Sequence, residues 1–214
     1  YLNVPKLRMP WLWAGLGAHL GHRCLTRRPS VVQFGQIVGP AALAPWLGVP
    51  YCVHLHGEEL SMGLLRTPYR RLFAWTLRHA SGATANSRFT LGVLQEAYGY
   101  RGPTLQVHPG VDLDVFSPGP ARPAGGPVLL TVARLMRRKG HDLVLEALQR
   151  LLPRHPELSY RIVGEGPERG RLEAAIQAAG LGERVQLLGK LSQAELVQAY
   201  RSADVFVHPN RRLE

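Results

Sequence analysis

Cysteine is nearly absent: Cys24 and Cys52 are the only two in 214 residues. That is too few for a disulfide scaffold and fits a reducing, cytoplasmic compartment. No uninterrupted run of about 18 apolar residues occurs, so no transmembrane helix is expected. The most apolar stretch, residues 41–55, is broken by Pro45 and Pro50. Acidic side chains are scarce, 15 Asp and Glu against 26 Lys and Arg, for a formal charge of +11. Such a balance suits a polyanion, an anionic membrane surface or a phosphorylated substrate. No P-loop and no G-x-S-x-G elbow is present. Gly164, Gly166 and Gly170 miss the G-x-G-x-x-G spacing by one place, so a dinucleotide cofactor is not indicated. His54 and His56 form an H-x-H pair with Cys52 two residues before it and no further His close by, short of the ligand set of a structural site. A zinc site is therefore not expected. The sequence opens on Tyr1 rather than Met, as expected of a piece of a longer chain.

What is present is an alternation of short apolar runs and helical periodicities. Residues 1–30 are the least regular, with Trp11 and Trp13 among Lys6, Arg8, Arg23, Arg27 and Arg28. Aromatics beside cations can mark an interfacial segment, or a short amphipathic helix with its charges in water. The pattern then predicts a strand over 31–34, a helix over 41–47 and a strand over 51–55. His56-Gly57-Glu58-Glu59 follows that strand as a loop facing a cleft. A helix over 68–79 and a strand over 83–85 come next. Asn86-Ser87 caps a helix bearing Leu91, Leu94 and Tyr98 and stopped by Gly99. A strand over 104–107 closes this half. From His108 to Pro123 the chain is rich in turn residues and without periodicity, which marks a boundary. Beyond it lie strands over 128–133, 160–163, 185–188 and 204–207. Helices stand between them, the last opened by a capping box, Ser192–Glu195. Alternating strands and helices imply parallel sheets, here two doubly wound α/β lobes, 1–122 and 123–214.

The richest stretch is Leu129–Gly140, LLTVARLMRRKG. Arg134 leaves the carboxyl end of a strand, and Lys139 sits at the foot of the next helix. Ligands of open α/β sheets bind outside the carboxyl strand ends, and helix N-termini favour phosphate. Two fixed cations there suit a diphosphate; a solvated basic loop has the same composition. Asp112-Leu113-Asp114 spells the D-x-D of metal-dependent sugar transferases, but it lies in the linker, so no metal is expected.

Seven segments occur in a recognisable order: HGEEL (56–60), ANSRF (85–89), HPGVDLDVFSP (108–118), VARLMRRKG (132–140), IVGEGPER (162–169), LLGKLSQAEL (187–196) and ADVFVHPN (203–210). In this order they resemble glycosyltransferase family 4, retaining enzymes of the GT-B fold that use nucleotide-sugar donors. The resemblance covers roughly residues 31–210. It implies that Arg134 and Lys139 hold the donor diphosphate and that His56 lines the sugar end of the cleft, a catalytic set of three. It further implies that Gly164, Gly166 and Pro167, with Gly189, Lys190 and Leu191, flank the nucleoside. The family's glycine-rich loop would fall before Tyr1 and its E-x7-E segment after Asn210, so both lobes would be incomplete. From the 214 residues alone, weak nucleotide binding without turnover is expected.

The resemblance thus implies transfer of a hexose from a UDP- or GDP-sugar to a hydroxyl of a carbohydrate or lipid-linked acceptor, with retention. No cofactor and no metal are expected, and the charge and Trp11/Trp13 suggest peripheral contact with the anionic inner face of a membrane. Rival readings are an epimerase or phosphorylase on the same fold, a non-catalytic remnant, or a basic nucleic-acid-binding protein. The last would need a stacking platform of aromatics, and none is evident; nucleic acid is not expected as a partner.

Overall fold

The computed structural model describes residues 9–64, 67–120 and 125–211. The chain forms two compact units, Tyr1–Gly110 and Val111–Glu214. That division falls inside the turn-rich segment; the expected limit between residues 122 and 123 lies outside the described residues.

In the first unit helix α1 (Met9–Arg27) leads to strand β1 (Val32–Phe34), a 3₁₀ helix (Gly39–Trp46) and β2 (Tyr51–Leu55). Then come α2 (Glu58–Leu64), α3 (Thr67–Arg78), β3 (Gly82–Ala85), α4 (Arg88–Tyr98) and β4 (Thr104–Gln106). The strands are parallel and lie in sequence order. Each crossover moves the same way, and parallel crossovers are right-handed, so the connecting helices share one face. The core agrees. Tyr51, Val53 and Leu55, alternate residues of β2, cluster with Ala41 and Ala44 of the 3₁₀ helix, Leu60, Phe73, Leu77 and Leu94. Cys52 and His54 take the opposite, half-buried face.

Two expectations are corrected here, and of the two readings of the N-terminal segment the helical one is found. The segment 41–47 is 3₁₀ rather than α-helical, because Pro45 has no N–H for an i−4 carbonyl. The loop expected after β2 is only two residues long, since α2 starts at Glu58 with two carboxylates in its first turn, where they complement the helix dipole. Residues 9–27 form one regular helix, although glycines at 15, 17 and 21 dilute its periodicity. The side chains of Trp11 and Trp13 lie outside the described residues.

The second unit contains β5 (Val128–Val132), a 3₁₀ turn (Arg137–Lys139), α5 (His141–Leu151), β6 (Ser159–Val163) and α6 (Arg169–Ala178). It continues with β7 (Val185–Gly189), α7 (Gln193–Arg201) and β8 (Val205–Phe206). The parallel sheet has the order β7-β6-β5-β8. The chain steps outward from β5 to β7 and then returns to the far side of β5. Reversing direction places the helices on opposite faces. Leu148, Tyr160, Ile162, Leu172 and Ile176 form the core beneath α5 and α6; Leu130, Val163 and Ala199 form a second core beneath α7. The unit is doubly wound, and its crevice lies at the carboxyl ends of β5 and β8. The last strand is shorter than expected, with only Val205 and Phe206 paired to β5.

The caps form where the sequence places them. Ser87 Oγ accepts from Thr90 N at 3.2 Å. Ser192 N donates to Glu195 Oε2 at 2.8 Å, and Glu195 N donates back to Ser192 Oγ at 3.4 Å. Residues 111–119 dock on α7: Arg201 donates to the Ser117 carbonyl and hydroxyl, each at 3.1 Å.

Candidate functional site

Candidate residues collect at the carboxyl edge of each sheet. In the second unit three loops are sewn together there. Ala133 N donates to Val163 O at 3.0 Å, Leu135 N to Glu165 O at 3.0 Å, and Glu168 N returns to Leu135 O at 3.1 Å. Gly164 N donates to Gly189 O at 2.8 Å. The loops after β5, β6 and β7 thus form one surface. Glycine is required for this closeness: a Cβ on Gly164 (φ 136°) would stand 2.0 Å from the Ala133 carbonyl oxygen. One on Gly166 would stand 2.3 Å from that of Leu135. Both glycines therefore pack loop on loop.

Arg134 projects from this surface and is exposed; Lys139 is half-buried and ends the 3₁₀ turn. Lys139 does not start the helix, as expected from sequence. Gly140 intervenes in the left-handed conformation (φ 67°) and serves as the N-cap of α5. A Cβ there would lie 1.9 Å from Pro209 O, so the turn is clamped against the segment after β8. Arg211 reinforces the clamp, its N donating to Arg138 O and its guanidinium to Asp142 Oδ1, both at 2.9 Å. Arg171 holds the other Asp142 oxygen at 3.2 Å. Burial pushes the Asp142 carboxyl up, but Arg171 and Arg211 outweigh it and hold the group below the usual carboxylate range.

His141, first residue of α5, went unnoticed in the sequence. It is 2% exposed, and its Nε2 lies 3.2 Å from the Arg134 carbonyl oxygen. A carbonyl only accepts, so Nε2 carries the proton. Nδ1 is buried and finds no partner among the described residues, and burial lowers the imidazole pKa. A neutral His141 thereby fixes the backbone from which Arg134 projects. His208, after β8, is lowered too, by burial and by the Lys139 charge, which marks Lys139 and the β8 loop as neighbours.

The remaining residues differ in surroundings. Pro167 and Lys190 are exposed, and Gly189 is buried. Leu191 is half-buried and packs against the core beneath α7.

In the first unit the HGEEL and ANSRF segments meet. His56 N donates to Glu59 Oε1 at 2.7 Å, and Asn86 Nδ2 donates to His56 O at 2.9 Å. Thr90 Oγ1 donates to Asn86 Oδ1 at 2.9 Å and so orients that amide. The exposed His56 ring places Nε2 3.1 Å from Gly35 O, which makes Nε2 the donor and leaves Nδ1 as an acceptor. The edge-on His54 ring, 4.7 Å away centroid to centroid, supports it. Asp112 of the D-x-D segment is used locally, its Oδ1 accepting from Asp114 N at 3.0 Å and Val115 N at 3.3 Å.

The family model described as Glycosyltransferase Family 4 matches residues 2–115, and that described as Glycosyl transferases group 1 matches residues 115–214. The chain belongs to glycosyltransferase family 4. This family 4 chain is 32% identical to a GDP-mannose-dependent α-(1-6)-phosphatidylinositol monomannoside mannosyltransferase of Mycolicibacterium smegmatis, over 73% of the chain and 43% of the relative. It is 29% identical to a 2-deoxystreptamine glucosyltransferase of Streptomyces kanamyceticus, over 81% of the chain and 50% of the relative. The family 4 chain thus spans about half the length of these curated relatives. Among solved structures it resembles HepE of Anabaena in complex with UDP, with a TM-score of 0.78, 20% identity and coverage of 92% of the chain and 57% of HepE. The likeness establishes a partial GT-B fold.

Proposed function

We propose that this family 4 chain is part of a glycosyltransferase that moves a hexose from a UDP- or GDP-linked donor to a hydroxyl of a carbohydrate or lipid-linked acceptor. The observation that carries the reading is the basic surface at the carboxyl ends of β5–β7, where Arg134 and Lys139 stand on a backbone locked by His141, Gly140 and Gly164. Breaking the bond from the anomeric carbon to phosphate leaves negative charge on the departing diphosphate. Two fixed cations stabilise that charge as charge-assisted partners. In the first unit, His56 is assigned to the sugar, its Nδ1 lone pair available to a hydroxyl. Retention is the family's habit and enters as part of the proposal. So does independence of divalent metal, which is supported by the engagement of Asp112 in its own turn.

The nucleotide choice is supported by relatives that name GDP-mannose and by the UDP bound to HepE. The test is calorimetric titration of the chain with UDP and GDP, with and without EDTA, followed by transfer assays with UDP-, GDP- and ADP-sugars. Losing one charge-assisted bond weakens binding by about 1.5–3 kcal/mol, so Arg134→Ala and Lys139→Ala should each bind roughly 10–100-fold more weakly. Where transfer is measurable, turnover should fall by about 10²–10³. Wild-type affinity in both variants removes the diphosphate assignment; binding abolished by EDTA and restored by manganese removes metal independence.

A further inference from the structure

The first unit carries a surface that the diphosphate site does not use. In a 3₁₀ helix residues i and i+3 lie one above the other. Ala41 and Ala44 are thereby turned into the core, while Leu43 and Trp46 face outward. Trp46 is 69% exposed and Leu43 41%. The Trp46 ring rests on that of Trp75 at 4.5 Å between centroids. Trp75 belongs to α3, whose Phe73, Thr76 and Leu77 are buried. Exposed Leu72 lies beside Trp75, and Arg71, Trp75 and Arg78 fall at i, i+4 and i+7, on one stripe of the helix. Both arginines are exposed. A shallow apolar groove of about 340 Å³, lined by Ala14, Val38, Leu43, Tyr69 and Leu72, continues this surface towards α1.

Charge is distributed to match. Residues 1–110 hold 11 Lys and Arg against three Glu and no Asp, a net +8 of the chain's +11. An outward Trp46 stacked on a half-buried Trp75, with leucines around them and arginines along the flank, combines the two chemistries of a lipid interface. Indole rings settle at headgroup depth, apolar side chains enter the acyl boundary and guanidinium groups pair with anionic phosphates. We propose that the first unit docks on an anionic lipid bilayer through the face formed by Leu43, Trp46, Leu72 and Trp75, with Arg71 and Arg78 at the headgroups. This deepens the proposed function by giving a lipid-linked acceptor a location. Vesicle binding is read without sugar transfer, so either proposal can fail alone.

The experiment is sedimentation of the whole chain with vesicles of phosphatidylcholine and with vesicles of mixed phosphatidylcholine and phosphatidylglycerol, at low and high salt. The chain should pellet with the mixed vesicles at low salt and largely remain in solution with the neutral ones. High salt should release it, because headgroup attraction is screened. Arg71→Gln combined with Arg78→Gln should weaken binding roughly 30-fold, two charges at about 1 kcal/mol each. Trp46→Ser should weaken it about tenfold through lost apolar contact. Brominated lipid should quench the tryptophan emission of the wild type more than that of Trp46→Phe, a variant that keeps the face apolar. Equal recovery in the supernatant with both vesicle types overturns the proposal, as does wild-type binding by the arginine pair variant and Trp46→Ser. So does binding confined to single-stranded RNA, with a steep salt dependence and no vesicle association.

Discussion

At the scale of single residues, His141 is the least expected contributor. Its neutral imidazole donates to the Arg134 carbonyl while Nδ1 faces no partner among the described residues. Protonation would bury an N–H with no acceptor, which agrees with a pKa lowered by desolvation. Below the usual imidazole value of about 6.5 the unfolded chain takes up a proton before the folded one does. Stability from this group is therefore complete above that value and is lost as pH falls through the folded pKa. His208 contributes with the same sign. Asp142, held below its usual range, acts only in the more acidic carboxylate window. Melting temperature should drop as the pH is taken from about 7.5 to 5.5, and His141→Gln, which keeps a donor but cannot titrate, should flatten that slope. An unchanged slope in thermal melts of His141→Gln would assign the dependence elsewhere. The place of Arg134 was legible in the sequence because a cation beyond a Val/Leu run declares its place at a strand end; Lys139 was expected to open the helix, which begins two residues later at His141. The role of His141 was not legible, because a histidine opening a helix reads the same whether it faces water or core, and only tertiary packing decides.

At the scale of elements, periodicity located most strands and helices, since each buries one face against its sheet. It misplaced the 3₁₀ helix, where Pro45 cancels a hydrogen bond that apolar composition alone does not reveal. It also missed α2, whose acidic first turn resembles a polar loop. Gly164 and Gly166 are needed for loop-to-loop packing, a role the sequence leaves open because it does not distinguish approach to a ligand from approach to backbone. Their cost is measurable. Gly164→Ala puts a Cβ 2.0 Å from a carbonyl oxygen and should destabilise the unit by about 2–4 kcal/mol, by analogy with overpacking plus a strained φ. Gly170, near the start of α6, has no atom within 4 Å of a built Cβ. Gly170→Ala should be neutral or stabilising by up to about 1 kcal/mol. Denaturant titration of the two variants separates them. Equal stabilities would mean the loops yield easily, and the packed surface beneath Arg134 would lose its rigidity.

For the whole molecule, the uneven charge and the open edge of the second sheet matter most. Among the described residues β8 pairs only with β5, and Val205 and Phe206 stand half exposed, with Phe206 48% accessible beside the Tyr200 ring. An exposed apolar edge strand invites pairing with another chain. Sedimentation velocity should therefore show concentration-dependent association, and Val205→Lys, which places a charge on that edge, should shift the chain towards monomer. A wild-type chain that stays monomeric across the accessible concentrations would show that the edge is adequately shielded by its own surroundings.

The place of β8 also sets an order of assembly during synthesis. Leu129 meets Tyr160, 31 residues later, within one β-α-β crossover, but meets Val205 only after 76 residues. Closing the longer loop costs about 0.8 kcal/mol more in chain entropy than closing the shorter one. Among the described strands of its sheet β5 is thus the first to leave the ribosome, and one flank of it waits for β8. Until β8 arrives, the carbonyls of Val128 and Leu130, which accept from Asp204 N and Val207 N in the finished sheet, are left unclaimed. During that interval a nascent chain is most open to capture by a chaperone or by a neighbouring copy.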